Sequence, residues 1–103
     1  MNHQQIKKHL IELVGQDEWN SIKPDILSIF DEAVESVIGG KCTINGEQPK
    51  TQLEVSYCVA KYVESAVPLY RGVVKGALES EFQPDVVTVN YREKSFTYYS
   101  NSL

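Results

Sequence analysis

Cysteines are scarce in this sequence, and long hydrophobic runs are absent from it. It has 2 cysteines in 103 residues, whereas a small secreted domain usually carries several, at regular spacing, to form disulfides. No apolar run approaches the ~20 residues that span a bilayer, and residues 1–8 are too polar for the core of a signal peptide. These absences predict a cytoplasmic protein in which Cys42 and Cys58 are reduced structural thiols, with a disulfide between them as the alternative.

Motifs that carry catalysis or bind metals are also missing. His3 and His9, six residues apart, would point about 240° apart on a helix, and no paired cysteine or histidine spacing of a zinc site is present. Neither the nucleophile motif G-x-S-x-G nor a phosphate-binding glycine loop occurs. We therefore expect two exposed histidines, no metal, no cofactor, no catalytic residue and no enzymatic activity.

The net charge of −4 is unevenly distributed along the chain. Residues 11–36 contain seven acidic residues and one lysine, whereas seven acidic and seven basic residues cancel from position 37 onward. A negatively charged segment of this kind repels the phosphates of nucleic acids and attracts basic proteins. The aromatic residues near the C-terminus also lack the basic neighbours of a base-stacking platform. The charge pattern thus favours a basic protein partner over nucleic acid or a membrane.

Apolar residues at helical spacing predict about four helices. Gly15 is expected to end the first helix, and a capping box of Thr51 and Glu54 is expected to start the fourth. Asp17 is expected to cap a short helical turn that carries Trp19. The predicted segments are 3–14, 17–22, 24–38 and 51–67, and a helical spacing continues over 69–80.

Two β-branched and aromatic segments, 86–92 and 95–100, predict a C-terminal hairpin. With Glu93-Lys94 as its loop, Tyr91 would pair with Phe96, and alternate residues would form one apolar face, namely Val87, Val89, Tyr91, Phe96 and Tyr98. Residues 41–45, which end at an Asn-Gly turn signal, are predicted to form either one short strand or an extended loop. As a strand they would supply the third strand that the hairpin needs, because an isolated hairpin is marginal in water. We therefore predict a single α+β domain over 1–103, with N-terminal helices packed on a small antiparallel sheet built on the hairpin.

The acidic segment carries the candidate binding residues. Asp31 and Glu35, at i,i+4 spacing on the polar side of the third helix, would repel each other, and this uncompensated cost suggests that the acidic residues have a use. The predicted partner-binding set is Asp17, Glu18, Trp19, Asp25, Asp31, Glu32 and Glu35. These residues indicate a non-enzymatic inhibitor or immunity-type protein that occludes a basic partner, such as a nuclease toxin.

Three alternatives remain open at the level of sequence. The acidic residues could form a solvated surface that only keeps the protein soluble. The aromatic hairpin could leave a strand edge unpaired, through which a structural or regulatory subunit self-associates as a homodimer. A pocket between the helices and the sheet could hold a small ligand or a substrate.

Overall fold

The computed structural model describes residues 2–68, 70, 78 and 82–99. They form four helices and three strands in the order α1 (His3–Val14), α2 (Gln16–Asn20), α3 (Pro24–Ile38), β1 (Cys42–Ile44), α4 (Gln52–Ala66), β2 (Val86–Tyr91) and β3 (Lys94–Tyr99). The predicted α+β architecture is confirmed, with four helices in the N-terminal part and a sheet built on a C-terminal hairpin. The helical spacing predicted over 69–80 lies outside the described residues, apart from Tyr70 and Leu78.

Local signals position the helix ends almost as predicted. Asn2 and Gln5 form a capping box at the start of α1, and Gly15, with φ of 90°, follows its last turn. The prediction that Asp17 caps α2 is wrong. The helix begins at Gln16, its N-cap is Gly15, and no side chain caps it. Asp17 lies instead inside the first turn, where its charge interacts favourably with the helix dipole.

Helix α4 lies at the centre of the molecule. It packs against α1 and α3 on one side and against β1 and β2 on the other. The sequence pattern predicts one apolar face, but contacts on both sides bury almost every face of the middle of the helix. Its buried residues are Val55, Ser56, Tyr57, Cys58, Val59, Ala60, Lys61, Tyr62, Val63 and Ser65.

The three strands form an antiparallel sheet in the order β1-β2-β3. The predicted third strand is confirmed, because Cys42 pairs with Val89. The predicted hairpin loop is wrong: Tyr91 pairs with Lys94, so the loop is Arg92-Glu93. This register differs from the expected one by two residues. Because side chains alternate with a period of two, the shift leaves the predicted apolar face on the same side of the sheet.

Both cysteines belong to the core. They are free thiols with no exposed surface, Cys42 on β1 and Cys58 on α4. A hydrogen bond with the neighbouring Cys42 thiol and, secondarily, burial raise the pKa of the Cys58 thiol. Because the thiolate is the reactive form of cysteine, this environment disfavours reaction at Cys58.

The capping box of α4 leads to a prediction about acid stability. The backbone N–H groups of Thr51 and Lys50 donate to Glu54 Oε1 over 2.9 and 3.0 Å, and these bonds lower the pKa of Glu54. A depressed carboxyl pKa contributes stability above its unfolded value, and that stability is lost as pH falls through the folded value. Glu54→Gln retains an acceptor oxygen without a charge, so we expect it to cost about 0.3–1 kcal/mol at pH 7 and little at pH 3. Urea unfolding followed by circular dichroism at several pH values measures this, and a penalty independent of pH would contradict it.

Candidate functional site

The predicted binding residues on α3 share one exposed surface. Asp25, Asp31, Glu32 and Glu35 are all exposed and are here called the acidic face. The opposite side of α3 buries Phe30, Ala33, Val34 and Val37 in the core. Asp25 lies six residues before Asp31, which is about 9 Å along a helix axis. Asp17 and Glu18 are exposed as well, but they belong to the first turn of α2.

Side chains from α1 contact the acidic face, and Lys7 places a positive charge beside it. His3 lies between two carboxylates, with Nδ1 2.6 Å from Glu35 Oε1 and Nε2 3.3 Å from Asp31 Oδ1. Lys7 Nζ lies 3.5 Å from Asp31 Oδ1. Lys7 therefore offsets part of the repulsion between Asp31 and Glu35, contrary to the sequence-based expectation. A protonated imidazole donates to both carboxylates at once, whereas the neutral ring has a single N–H.

The histidines are not the exposed residues that the sequence predicts. The side chain of His3 is 27% exposed and contacts α3. His9 is half-buried, and its Nδ1 lies 2.7 Å from the hydroxyl of Ser56 on α4. Both rings join α1 to neighbouring helices. Sequence reasoning missed these contacts because they connect residues 28 or more positions apart.

A tyrosine fixes Glu32 in place. The hydroxyl of Tyr62, on α4, donates to Glu32 Oε2 over 2.9 Å and accepts from Ser36 Oγ over 3.2 Å. Burial, the largest cause, raises the pKa of Tyr62, so the phenol keeps the proton that it donates. Three of the four acidic-face carboxylates thus have partners on other helices.

Trp19 lies in the core, although the sequence places it among the candidate binding residues. It is 5% exposed, and its ring centroid is 5.4 Å from that of Phe30. The Trp19 side chain therefore joins α2 to α3. An exposed apolar residue occurs instead at the end of α3, where Ile38 is 45% exposed. Ile38 borders a shallow cavity of about 360 Å³ that Val37, Gln48, Pro49 and Val55 also line.

A second polar cluster, missed by sequence reasoning, surrounds Lys61 on α4. Lys61 is 7% exposed, and its Nζ lies 3.3 Å from Glu64 Oε2. The same Nζ is 4.7 Å from the ring centroid of Tyr98 and 5.6 Å from that of Tyr57. Ser65 Oγ donates to the Lys61 carbonyl and lies 2.7 Å from the Tyr98 hydroxyl. In the sequence, a Lys and a Glu three positions apart are typical of a solvated helix surface, so only the burial of α4 on both sides reveals the cluster.

A cavity of about 700 Å³ adjoins this cluster through Ser65. It lies between the C-terminal end of α4 and the loop of the β2–β3 hairpin, where Arg92 and Lys94 line it. The sequence-based alternative of a pocket between helices and sheet therefore has a concrete location. None of the predicted acidic residues lines this cavity.

Neither a metal cluster nor a membrane-crossing helix occurs in the part of the chain that the structure describes. No three His, Cys, Asp or Glu side chains are grouped there to hold an ion, and no helix there has the length and apolar character that crossing a bilayer requires. No protein-family model matches the chain, and no curated protein or solved structure is significantly similar to it.

Proposed function

We propose that the chain is a small, non-enzymatic, cytoplasmic protein-binding domain of inhibitor or immunity type, whose acidic face occludes a basic surface of another protein. The exposure of all four acidic-face carboxylates on one helix is the observation that carries this proposal. Residues 1–38 contain seven acidic and three basic residues, so this part of the chain accounts for the whole net charge of −4. A surface of this sign speeds association with basic proteins and disfavours the phosphates of nucleic acids.

The contacts of the acidic face support a role in recognition. His3 holds Asp31 and Glu35, and Tyr62 holds Glu32. Carboxylates that are already ordered lose less conformational entropy when a partner binds. Ile38, one turn after Glu35, supplies an apolar contact at the edge of the same surface. Asp17 and Glu18 extend the negative charge onto α2.

Two matched variants, each of which removes two negative charges, test the proposal. Asp31→Asn/Glu35→Gln removes two charges from the acidic face and retains acceptor oxygens for His3. Glu47→Gln/Asp85→Asn removes two charges from exposed positions elsewhere and changes the net charge equally. In affinity capture from an extract of the native host at low salt, we expect wild type and the Glu47/Asp85 variant to retain the same basic protein, and the Asp31/Glu35 variant to retain much less of it. Equal retention by all three proteins would overturn the proposal, provided that their melting temperatures agree.

Self-association through the hairpin is a second candidate function. Strand β3 lies at one end of the sheet order, and no described strand pairs with its outer edge. Tyr99 in this strand is 69% exposed. If this edge forms a homodimer, wild type is expected to have the mass of a dimer at high micromolar concentration, and Tyr99→Lys that of a monomer. Size-exclusion chromatography with light scattering measures both, and a monomeric wild type would rule out this candidate.

A further inference from the structure

The cavity beside the hairpin loop has the size and lining of a small-molecule site. Its volume of about 700 Å³ falls within the roughly 300–1,000 Å³ of typical ligand pockets. Its walls are apolar where Ala66, Pro68, Tyr91 and Phe96 line it, and Arg92, Glu93 and Lys94 form its charged part. An apolar body with a charged group at one end is the ligand shape that such a lining complements.

The charged part of the cavity favours an anion. Arg92 and Lys94 contribute two positive charges and Glu93 one negative charge, so the three together carry +1. A guanidinium binds a carboxylate through two parallel hydrogen bonds. The apolar residues that line the rest of the cavity accommodate the organic body of such an acid.

The backbone of Arg92 is unusual for a residue of its type. Its φ is 57°, a left-handed conformation that glycine and asparagine adopt far more readily than arginine. Arg92 is also the first residue of a two-residue hairpin loop, a position at which glycine or asparagine is preferred. Strained backbone of this kind clusters at functional sites, where a particular side chain is needed. The loop therefore places a guanidinium at the cavity, in a position where glycine would adopt the backbone conformation more easily.

The guanidinium of Arg92 lies over an aromatic ring of the cavity lining. Arg92 Cζ lies 5.0 Å from the ring centroid of Tyr91, and the Tyr91 ring packs edge-on against Tyr62 at 5.2 Å. The last carbonyls of α4 give the part of the lining around Ala66 a partial negative charge. A bound anion would therefore place its charged group at Arg92 and Lys94, with its apolar body against Ala66, Pro68 and Phe96.

We propose that this cavity binds a small organic monocarboxylate with an aromatic or aliphatic body, and that Arg92 is the residue that selects the carboxylate. The site is separate from the acidic face and does not depend on the function proposed for it. A regulatory ligand or a substrate of this class fits the same geometry.

Nuclear magnetic resonance titration of the full chain with benzoate tests the site. Benzamide has the same ring without the charge and serves as the matched ligand. We expect saturable shifts of the amides at 65–66 and 91–96 with benzoate, and binding of benzamide weaker by at least tenfold. Equal binding of the two compounds, or shifts that are scattered and do not saturate, would overturn the proposal.

Single substitutions distinguish a loss of benzoate binding from a loss of folding. Arg92→Gly suits the left-handed backbone, so we expect an undiminished melting temperature together with benzoate binding weaker by at least tenfold. Lys94→Gln, at an exposed position, is expected to weaken the binding of benzoate about threefold. Lys41→Gln, at an exposed position outside the cavity, is expected to leave the affinity for benzoate unchanged. If benzoate binds Arg92→Gly and Lys94→Gln as tightly as wild type, the cavity does not recognise carboxylates.

Discussion

Replacing Lys61 with methionine is expected to lower the free energy of unfolding by about 3 kcal/mol. The Lys61 and Glu64 side chains are only 9% and 14% exposed, so the substitution takes a close positive charge away from a poorly solvated carboxylate. The substitution also removes the cation from the faces of Tyr57 and Tyr98. Methionine has a similar length and no charge, and therefore the loss reports on electrostatics more than on packing. Chemical denaturation followed by circular dichroism measures it.

A double-mutant cycle distinguishes the ion pair from general damage to the core. Glu64→Gln and the double variant Lys61→Met/Glu64→Gln complete the cycle, and we expect a coupling energy of about 1–3 kcal/mol. Lys41→Met, at an exposed position, is the control for loss of a lysine and should change stability by less than about 0.5 kcal/mol. Additive effects of the two single substitutions would show that Lys61 and Glu64 do not stabilise each other.

Neutralising Asp31 and Glu35 is expected to slow association with the basic partner about tenfold at low salt. Long-range attraction between exposed charges mainly accelerates encounter, so we expect a larger effect on association than on dissociation. The wild-type association rate should fall steeply as salt rises, and that of Asp31→Asn/Glu35→Gln should fall less. Stopped-flow or surface plasmon resonance measurements with the captured partner, at several salt concentrations, give both rates.

The position of the charges, and not their number, is what this comparison tests. The Glu47→Gln/Asp85→Asn protein has the same net charge as Asp31→Asn/Glu35→Gln and should associate almost as fast as wild type. If both variants slow association equally, only the overall charge of the protein matters and the acidic face is a solvated surface. A larger effect on dissociation than on association would indicate instead that Asp31 and Glu35 lie inside the interface.

The helices could be predicted because their signals are local. Thr51 and Glu54 lie within one turn, and both halves of their capping box occur as expected. The turn signal Asn45-Gly46 was equally legible, since both residues adopt positive φ, 52° and 81°. The hairpin loop had no such signal. Arginine rarely adopts the left-handed conformation that Arg92 has. For this reason the sequence pattern predicts a loop at Glu93-Lys94, one residue after the loop that the structure shows.

The candidate sites could be predicted only in part. Exposure of the four acidic-face carboxylates follows from the helical period of α3, which places them opposite Phe30 and Val34. Their partners do not follow from it, because His3 and Tyr62 come from other helices. The cavity depends on how the end of α4 meets the hairpin, a tertiary arrangement that no local pattern encodes.

The order of the strands also bears on how the chain is made. Ile44 on β1 pairs with Val87 on β2, 43 positions further along the chain. During synthesis from the N-terminus, β1 and α4 therefore emerge before the strand that covers them. In that interval Cys42, Cys58 and the sheet-facing side of α4 lack their central neighbour, and unpaired strands and apolar surfaces of this kind are where nascent chains aggregate. Helices α1 and α3 both pack against α4 and precede β2 in the chain, so these three helices are able to associate before β2 arrives.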